Sequence, residues 1–357
     1  MAGKKVVVAG ATGLVGSAAL RHFGGIGSCE VVALSRREPR DLHGARFVAV
    51  DLGDAAQCAA AVPALRGATH LVYAALHEKP NLVDGWRDAT QIRTNDLMLR
   101  NLMAALEPAA PRLRHVALLQ GTKAYGVHVR PLTVPAREDR SEMYEQPNFY
   151  WAQETFLREL QQGKSWHWSI LRPVLIVGLA MGGAMDLIPP LGVYAAMMRE
   201  QGRALDYPGG AARVAQAVDV DLLARAIAWA GAADAARNEA FNVTNGDVFT
   251  WENIWPAVAD ALGMKPGKAV PLSLVKESVN WDDLRSRHNL LSPGLQEFVG
   301  LSFQYADYSM RYGHSESGPP SIVSTVKINR AGFTEMMDTE EMFRKWFAQA
   351  RDARLLP

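Results

Sequence analysis

The sequence is poor in the features that mark several large classes of protein. Its 357 residues include only 2 cysteines, Cys29 and Cys58, with no Cys-x-x-Cys spacing. Neither a disulfide framework nor a thiolate zinc site is indicated. The 9 histidines form no His-Glu-x-x-His or other compact ligand spacing, so no metal is expected. No Gly-x-Ser-x-Gly occurs, which removes the main motif-based case for a serine hydrolase. Lys and Arg number 38 against 37 Asp and Glu, a formal net charge of +1. That balance gives no general attraction to nucleic acid or to anionic lipid. The most apolar stretch, "PVLIVGLAMGGAM" at 173–185, is bounded by Arg172 and Asp186 and is too short to cross a bilayer. The start, "MAGKKVVVAGATG", runs directly into a strand pattern and lacks a signal-peptide core. A soluble cytoplasmic protein is expected.

What is present is a well-supplied core, with 48% hydrophobic and 21% charged residues. Runs rich in β-branched residues at 5–10, 30–34, 45–50, 69–75 and 114–119 read as buried parallel strands. Between the last two, Leu97, Leu99, Leu102, Met103 and Leu106 recur at helical spacings. A sixth strand is predicted at 166–173 and a further one over "EAFNVTNG", 239–246. The alternation predicts an α/β fold, a Rossmann-type doubly wound parallel sheet, with a smaller, mostly helical C-terminal substrate region. The division expected is a nucleotide-binding domain over 1–178, with a return near 210–246, and a substrate and lid region over 179–357. The segment 302–322, which mixes aromatics with Gly, Ser and Pro, reads as an irregular loop with aromatic anchors.

"VVVAGATGLVGSAAL" holds Gly10-x-x-Gly13-x-x-Gly16 where a strand gives way to a helix. In that setting the first glycine permits a tight turn and the second lets backbone approach a pyrophosphate. The third allows the helix to pack closely on the strand. Free N–H groups and the helix dipole would then face phosphate. After the second strand, where an acid would hold the ribose of NAD, the chain has Ser35, Arg36 and Arg37. Two guanidinium groups suit a 2′-phosphate, and NADPH is the cofactor expected. Asp51, after the third strand, is placed either to accept from the adenine amino group or to cap the next helix.

Tyr150, in "NFYWAQE", raises a different question. It could open the Tyr-x-x-x-Lys pair of a nucleotide-dependent reductase, but position 154 is Glu. None of the 9 tyrosines has a lysine four residues on. Either Tyr150 is an ordinary helix residue or its cation comes from elsewhere. His115 and His167 read as packing residues of their strands.

The ordered segments "GATGLVG", "SRREP", "VDLGD", "THLVYAA", "NDLMLRNLM", "LLQGTKAYG", "NFYWAQE", "WSILRPVLIVG" and "EAFNVTNGDVFTWENIW" resemble the progesterone 5β-reductase/iridoid synthase-like family. The resemblance runs from about residue 5 to 256. Its members are atypical extended short-chain dehydrogenases that reduce activated carbon–carbon double bonds with NADPH. In that family the catalytic lysine has left the tyrosine's helix for the loop after the fifth strand. The resemblance therefore implies Tyr150 and Lys123 as the catalytic pair, with Tyr125 lining or packing the pocket. It further implies a cofactor held by Gly10, Thr12, Gly13, Leu14, Val15 and Gly16, and by Ser35, Arg36 and Arg37. Asp51, Leu52 and Ala75 would follow, then Gln120, Lys123, Tyr150, Pro173 and Ile176 toward the nicotinamide. A small-molecule enone or enal is the implied partner, covered by residues from 181–200 and 302–322, and a homodimer is left open. The implied reaction is 1,4-reduction. Carbonyl reduction by the same machinery and a non-catalytic NADP-binding sensor are the alternatives.

Overall fold

Val6, Val7 and Val8 have no exposed surface, and they mark the middle of the sheet on which the molecule is built. The structure is a computed structural model that describes residues 3–80 and 85–357. The chain lays down β1 (Lys4–Ala9), β2 (Cys29–Ser35), β3 (Arg46–Ala49), β4 (His70–Tyr73), β5 (His115–Leu119) and β6 (His167–Pro173). A seventh strand, Glu239–Val243, joins β6, and the spatial order is Glu239–Val243, β6, β5, β4, β1, β2, β3. Every neighbouring pair is parallel. The inner strands are covered on both faces, which is why their runs are continuously apolar rather than alternating. By contrast β3, expected as a buried strand, is an edge of the sheet, with Arg46 and Ala49 exposed.

The order reverses between β1 and β4, so the crevice at the carboxyl ends of these strands is the natural binding position. One face of the sheet packs Leu99, Leu102, Met103 and Leu106 of the helix Ala89–Ala109. The other packs Leu20 and Phe23 of the helix Leu14–Gly24 with Leu222, Leu223 and Ile227 of the helix Val220–Ala230. Leu97, expected to face the core, is instead 47% exposed. It lies on the side of its helix opposite Leu99 and Leu102, a distinction that spacing by threes and fours does not make for every member.

The C-terminal half builds its own core from the helices Ile188–Glu200, Trp251–Ala261 and Thr339–Asp352. Two sequence expectations are corrected here. Residues 188–198 form a helix buried along its whole length, at the centre of this core, and not a closing segment. Residues 302–309 form a helix rather than an irregular loop, and its Ala306 is buried among apolar neighbours. The stretch between 180 and 188 is fastened to it. Asp186 Oδ2 accepts from the Ala180 N–H at 2.8 Å, and the Asp186 N–H donates to Ser302 Oγ at 3.1 Å. Among the described residues no helix is long and apolar enough to cross a membrane.

Candidate active site

The turn after β1 needs glycine for stated reasons. Gly10 has φ +83, and a Cβ on it would lie 2.7 Å from the backbone of Ala74 and Ala75, beyond the end of β4. A Cβ on Gly16 would lie 2.1 Å from the Gly10 carbonyl oxygen, so the helix Leu14–Gly24 packs directly on the turn. Gly13 is the N-cap of that helix and has no side chain to satisfy the first-turn N–H groups. Those of Leu14, Val15 and Gly16 are left free for an anion at the positive end of the helix. Thr12 borders the same opening, half-buried, and Ala75 faces it from the turn after β4.

Beyond β2, the Ser35 hydroxyl donates to the Arg37 carbonyl at 2.6 Å. This ties the turn together from inside and spends the Ser35 hydroxyl on the protein itself. Arg36 and Arg37 stand exposed, and neither makes an ion pair among the described residues. After β3, Asp51 Oδ1 accepts from the Gly53 N–H at 2.9 Å, whereas Asp54 caps the helix Ala55–Ala60. Capping is therefore excluded for Asp51, and its exposed second carboxylate oxygen remains for a ligand. Leu52 is buried behind it, its carbonyl accepting from Asn101 Nδ2 at 2.9 Å. On the far side, Pro173 ends β6. Ile176 pairs with Val218 in a small parallel ladder, half-buried at the rim of the crevice.

Asn148 fixes where Tyr150 sits. Its side chain caps the helix Phe149–Gln161, accepting from the Tyr150 N–H at 3.1 Å, so the tyrosine lies in the first turn. The loop after β5 packs against it. A Cβ on Gly121 would lie 3.3 Å from the Tyr150 hydroxyl, and Ala124 is buried against Phe149 and Tyr150. Gln120 stitches the two elements together through donation from Nε2 to the Tyr150 carbonyl at 3.3 Å and to Glu154 Oε2 at 3.1 Å. Lys123 follows in a short 3-10 turn, Thr122–Tyr125, closed by Gly126 in the left-handed region at φ +79.

Burial raises the Tyr150 phenol well above its ordinary value, the Glu78 carboxylate adding to the effect and Arg172 opposing it. The phenol is thus a neutral donor over the whole physiological range. The Lys123 ammonium is desolvated and pushed down to about 8, with Glu78 partly restoring it. It lies over the Trp86 ring, 3.9 Å from the centroid. Trp86 meets Tyr308 edge-on at 5.5 Å, and Tyr308 stacks with Tyr305 at 6.5 Å, so a wall of aromatic residues extends from the Lys123 ammonium. Tyr125 is not on this wall. Its hydroxyl donates to Asn242 Oδ1 at 2.6 Å inside the fold, a packing role. His115 is likewise buried, in a hydrogen bond with Ser169 at 3.0 Å.

Sequence reasoning missed the groups around the pair. Arg172, at the end of β6, has no exposed side-chain surface. It contacts Glu142, pairs with Glu154 at 3.3 Å and donates from Nε to Gln120 Oε1 at 2.8 Å. Glu78 and Trp86 come from the segment following β4, where no periodicity or motif distinguishes them from an ordinary loop.

Residues 53–317 match the PRISE-like Rossmann-fold domain. Over 99% of both chains the sequence is 30% identical to "Short chain dehydrogenase gsfE" of Penicillium aethiopicum. It is 29% identical to the "(S)-8-oxocitronellyl enol synthase" of Antirrhinum majus, over 98% of this chain and 92% of the other. It is also 29% identical to the "3-oxo-Delta(4,5)-steroid 5-beta-reductase" of Arabidopsis thaliana, with the same coverage of 98% and 92%. Among solved structures, the UDP-N-acetylglucosamine 4-epimerase of Methanobrevibacter ruminantium superposes with a TM-score of 0.68 over 99% of both chains, at 16% identity. That likeness concerns the fold.

Proposed function

The chain belongs to the PRISE-like Rossmann-fold family, and from that premise we propose that it is an NADPH-dependent reductase of the carbon–carbon double bond of an enone or enal. The observation that carries the reading is the meeting of the Gln120–Lys123 loop with the Tyr150 hydroxyl at the carboxyl edge of the sheet. That meeting supports the reading of Tyr150 as a phenol donor and Lys123 as an ammonium supplied from a different element. The names of two relatives describe compatible chemistry. A 3-oxo-Δ4 steroid is a conjugated enone whose position 5 is the β-carbon, and an enol is what remains once hydride has reached the β-carbon of an enal.

The residues present fit the cofactor. The Gly10 and Gly16 positions form a cradle that side chains would fill, and free helix N–H groups face it. Arg36 and Arg37 would hold the 2′-phosphate, and Asp51 the adenine amino group. Bound there, the nicotinamide supplies hydride. The protein's own part is electrostatic. Tyr150 donates to the substrate carbonyl, and as the double bond accepts hydride at the β-carbon, negative charge collects on the oxygen that Tyr150 already holds. The Lys123 ammonium lowers the cost of that charge. Trp86, Tyr305 and Tyr308 keep water from the oxygen and so strengthen both interactions. A proton then adds at the α-carbon.

The test uses NADPH carrying deuterium on nicotinamide C4 with a small cyclic enone, followed by product identification. Deuterium on the β-carbon of a saturated ketone is expected. Label on the carbinol carbon of an allylic alcohol would replace this reading with carbonyl reduction. NADPH binding without oxidation by cyclic enones, linear enals or steroid enones would leave the sensor.

A further inference from the structure

The segment that follows β4 brings a third titratable side chain to the Tyr150 and Lys123 pair. Two wholly buried amides, one turn apart on the helix Ala89–Ala109, zip its backbone in place. The His77 N–H donates to Asn95 Oδ1 at 2.8 Å, and Asn95 Nδ2 donates back to the His77 carbonyl at 2.9 Å. The Lys79 N–H donates to Gln91 Oε1 at 2.9 Å. Glu78 sits between these two anchored residues. Its Oε2 accepts from Gln91 Nε2 at 3.3 Å, while the buried Oε1 makes no full hydrogen bond among the described residues and faces the Trp86 indole N–H, which is equally unpartnered. Burial raises the Glu78 carboxyl above its ordinary value, and Lys123, Gln91 and Trp86 draw it back. A carboxylate oxygen left in this way is costly unless its charge is used.

The cation that uses it is Lys123. Among the described residues its ammonium lies within 4.0 Å of no carboxylate, and it rests over the Trp86 face. Of the other charges nearby, Arg213 beside Tyr305 and Tyr308 makes no ion pair among the described residues, and the rest are committed. Lys79 pairs with Asp88 at 2.7 Å, and Arg172 with Glu142 and Glu154. Arg87 donates to the His128 carbonyl at 2.6 Å, and burial beside Lys123 pushes the His128 imidazole down to about 4, so it is neutral. The Tyr150, Tyr305 and Tyr308 phenols, all pushed up by burial, are neutral as well. Glu78 is the carboxylate that acts on Lys123, and it acts on Tyr150 too.

We propose that Glu78, aimed by Gln91, is a positioning residue whose negative charge keeps the proton on both Lys123 and Tyr150. This rests on the reading of those two residues as the working pair. Burial alone disfavours the ammonium, and a nearby carboxylate offsets that cost. The same carboxylate disfavours a phenolate and so holds Tyr150 as a donor. Standing back from a direct ion pair, Glu78 leaves the lysine's N–H donors unspent on a carboxylate.

The experiment is the pH dependence of enone turnover with saturating NADPH, from pH 6 to 10, in the parent protein, Glu78→Gln and Glu78→Asp. Glu78→Gln should move the alkaline limb down by about one pH unit, a roughly tenfold loss on that limb, because Lys123 deprotonates earlier. NADPH affinity should change less than about twofold, and Glu78→Asp should recover part of the shift. Superimposable limbs, or an equal loss at every pH, would overturn the proposal and leave Glu78 as a loop anchor. Titration of the Lys123 amine by NMR, assigned against Lys123→Met, separates this from the enone reading. A downward shift in Glu78→Gln without turnover would sustain the role of Glu78 while the substrate class fails. An unchanged titration would reject the role whatever the substrate.

Discussion

Glu154 stands four residues after Tyr150, and its carboxylate pairs with the guanidinium of Arg172 at 3.3 Å while Oε1 takes Arg158 at 2.8 Å. The helix position that would carry a lysine in a Tyr-x-x-x-Lys pair is thus the anionic partner of two arginines. One of them is buried, flanked by the rings of Tyr125 and Trp151 at 5.4 and 5.8 Å. Returning a lysine to 154 would set a third cation against them. Glu154→Lys should destabilise the fold by about 3–5 kcal/mol, the range for a buried charge left without its partner, and should not raise activity. Thermal unfolding is the measurement, and a variant as stable as the parent would show that Arg172 does not depend on Glu154.

Arg36→Ala should weaken NADPH about tenfold to a hundredfold, corresponding to charge-assisted bonds of roughly 1.5–3 kcal/mol. NADH should change little, since it lacks the phosphate that the guanidinium would reach. Calorimetric titration of both nucleotides tests this. Equal weakening would point to damage in the turn that the Ser35 hydroxyl closes.

Tyr150→Phe removes the donor but leaves the ring in its pocket. Turnover of a cyclic enone should fall about a hundredfold to a thousandfold, the cost of losing one preorganised donor to a developing oxyanion. NADPH binding should stay within a few-fold. A phenylalanine variant with near-normal turnover would return Tyr150 to the packing residues.

The Lys123 ammonium is pushed down to about 8 in the folded protein, from about 10.5 when unfolded. The unfolded chain therefore binds more protons between those values, and stability rises as pH climbs through that window. At pH 7 the charged lysine opposes folding. Because part of the residue remains accessible, the cost is on the order of 1–2 kcal/mol rather than the full value of the shift. Lys123→Met should accordingly unfold at a higher temperature than the parent at pH 7, and the gap should narrow steadily as pH rises from about 8 toward about 10.5. A gap independent of pH would remove the desolvated ammonium as its cause.

The parts of the fold that were legible in the sequence were those written by local rules. Unbroken β-branched runs correspond to strands covered on both faces, and the glycine triplet corresponds to backbone approaches of 2.1 and 2.7 Å that exclude a Cβ. The helix Ser302–Ser309 was not legible, because its aromatic residues sit among Gly, Ser and Pro that outweigh a single buried face. Nor was the buried helix Ile188–Glu200 recognised as core. It is apolar on all sides and starts with two prolines, so it shows no period to read. Around the site, Glu78, Trp86 and Arg172 have no sequence signature, since their meaning arises from neighbours 18 to 45 positions away along the chain: Lys123 lies 37 from Trp86 and 45 from Glu78, and Arg172 lies 18 from Glu154 and 30 from Glu142.

The seventh strand, Glu239–Val243, comes from the second half of the chain and, among the described residues, is the strand that pairs with the outer side of β6. Until it arrives during synthesis, β6 is an open edge with a full row of unpaired backbone groups, the arrangement that recruits strands from other molecules. Asn242 within it also receives the Tyr125 hydroxyl, which closes the interior beside Arg172. A nucleotide-binding half cut at residue 178 would leave this edge of the sheet uncovered. A 1–178 fragment should self-associate, and a chain released from the ribosome before Val243 is most exposed to aggregation at the strand that carries Arg172.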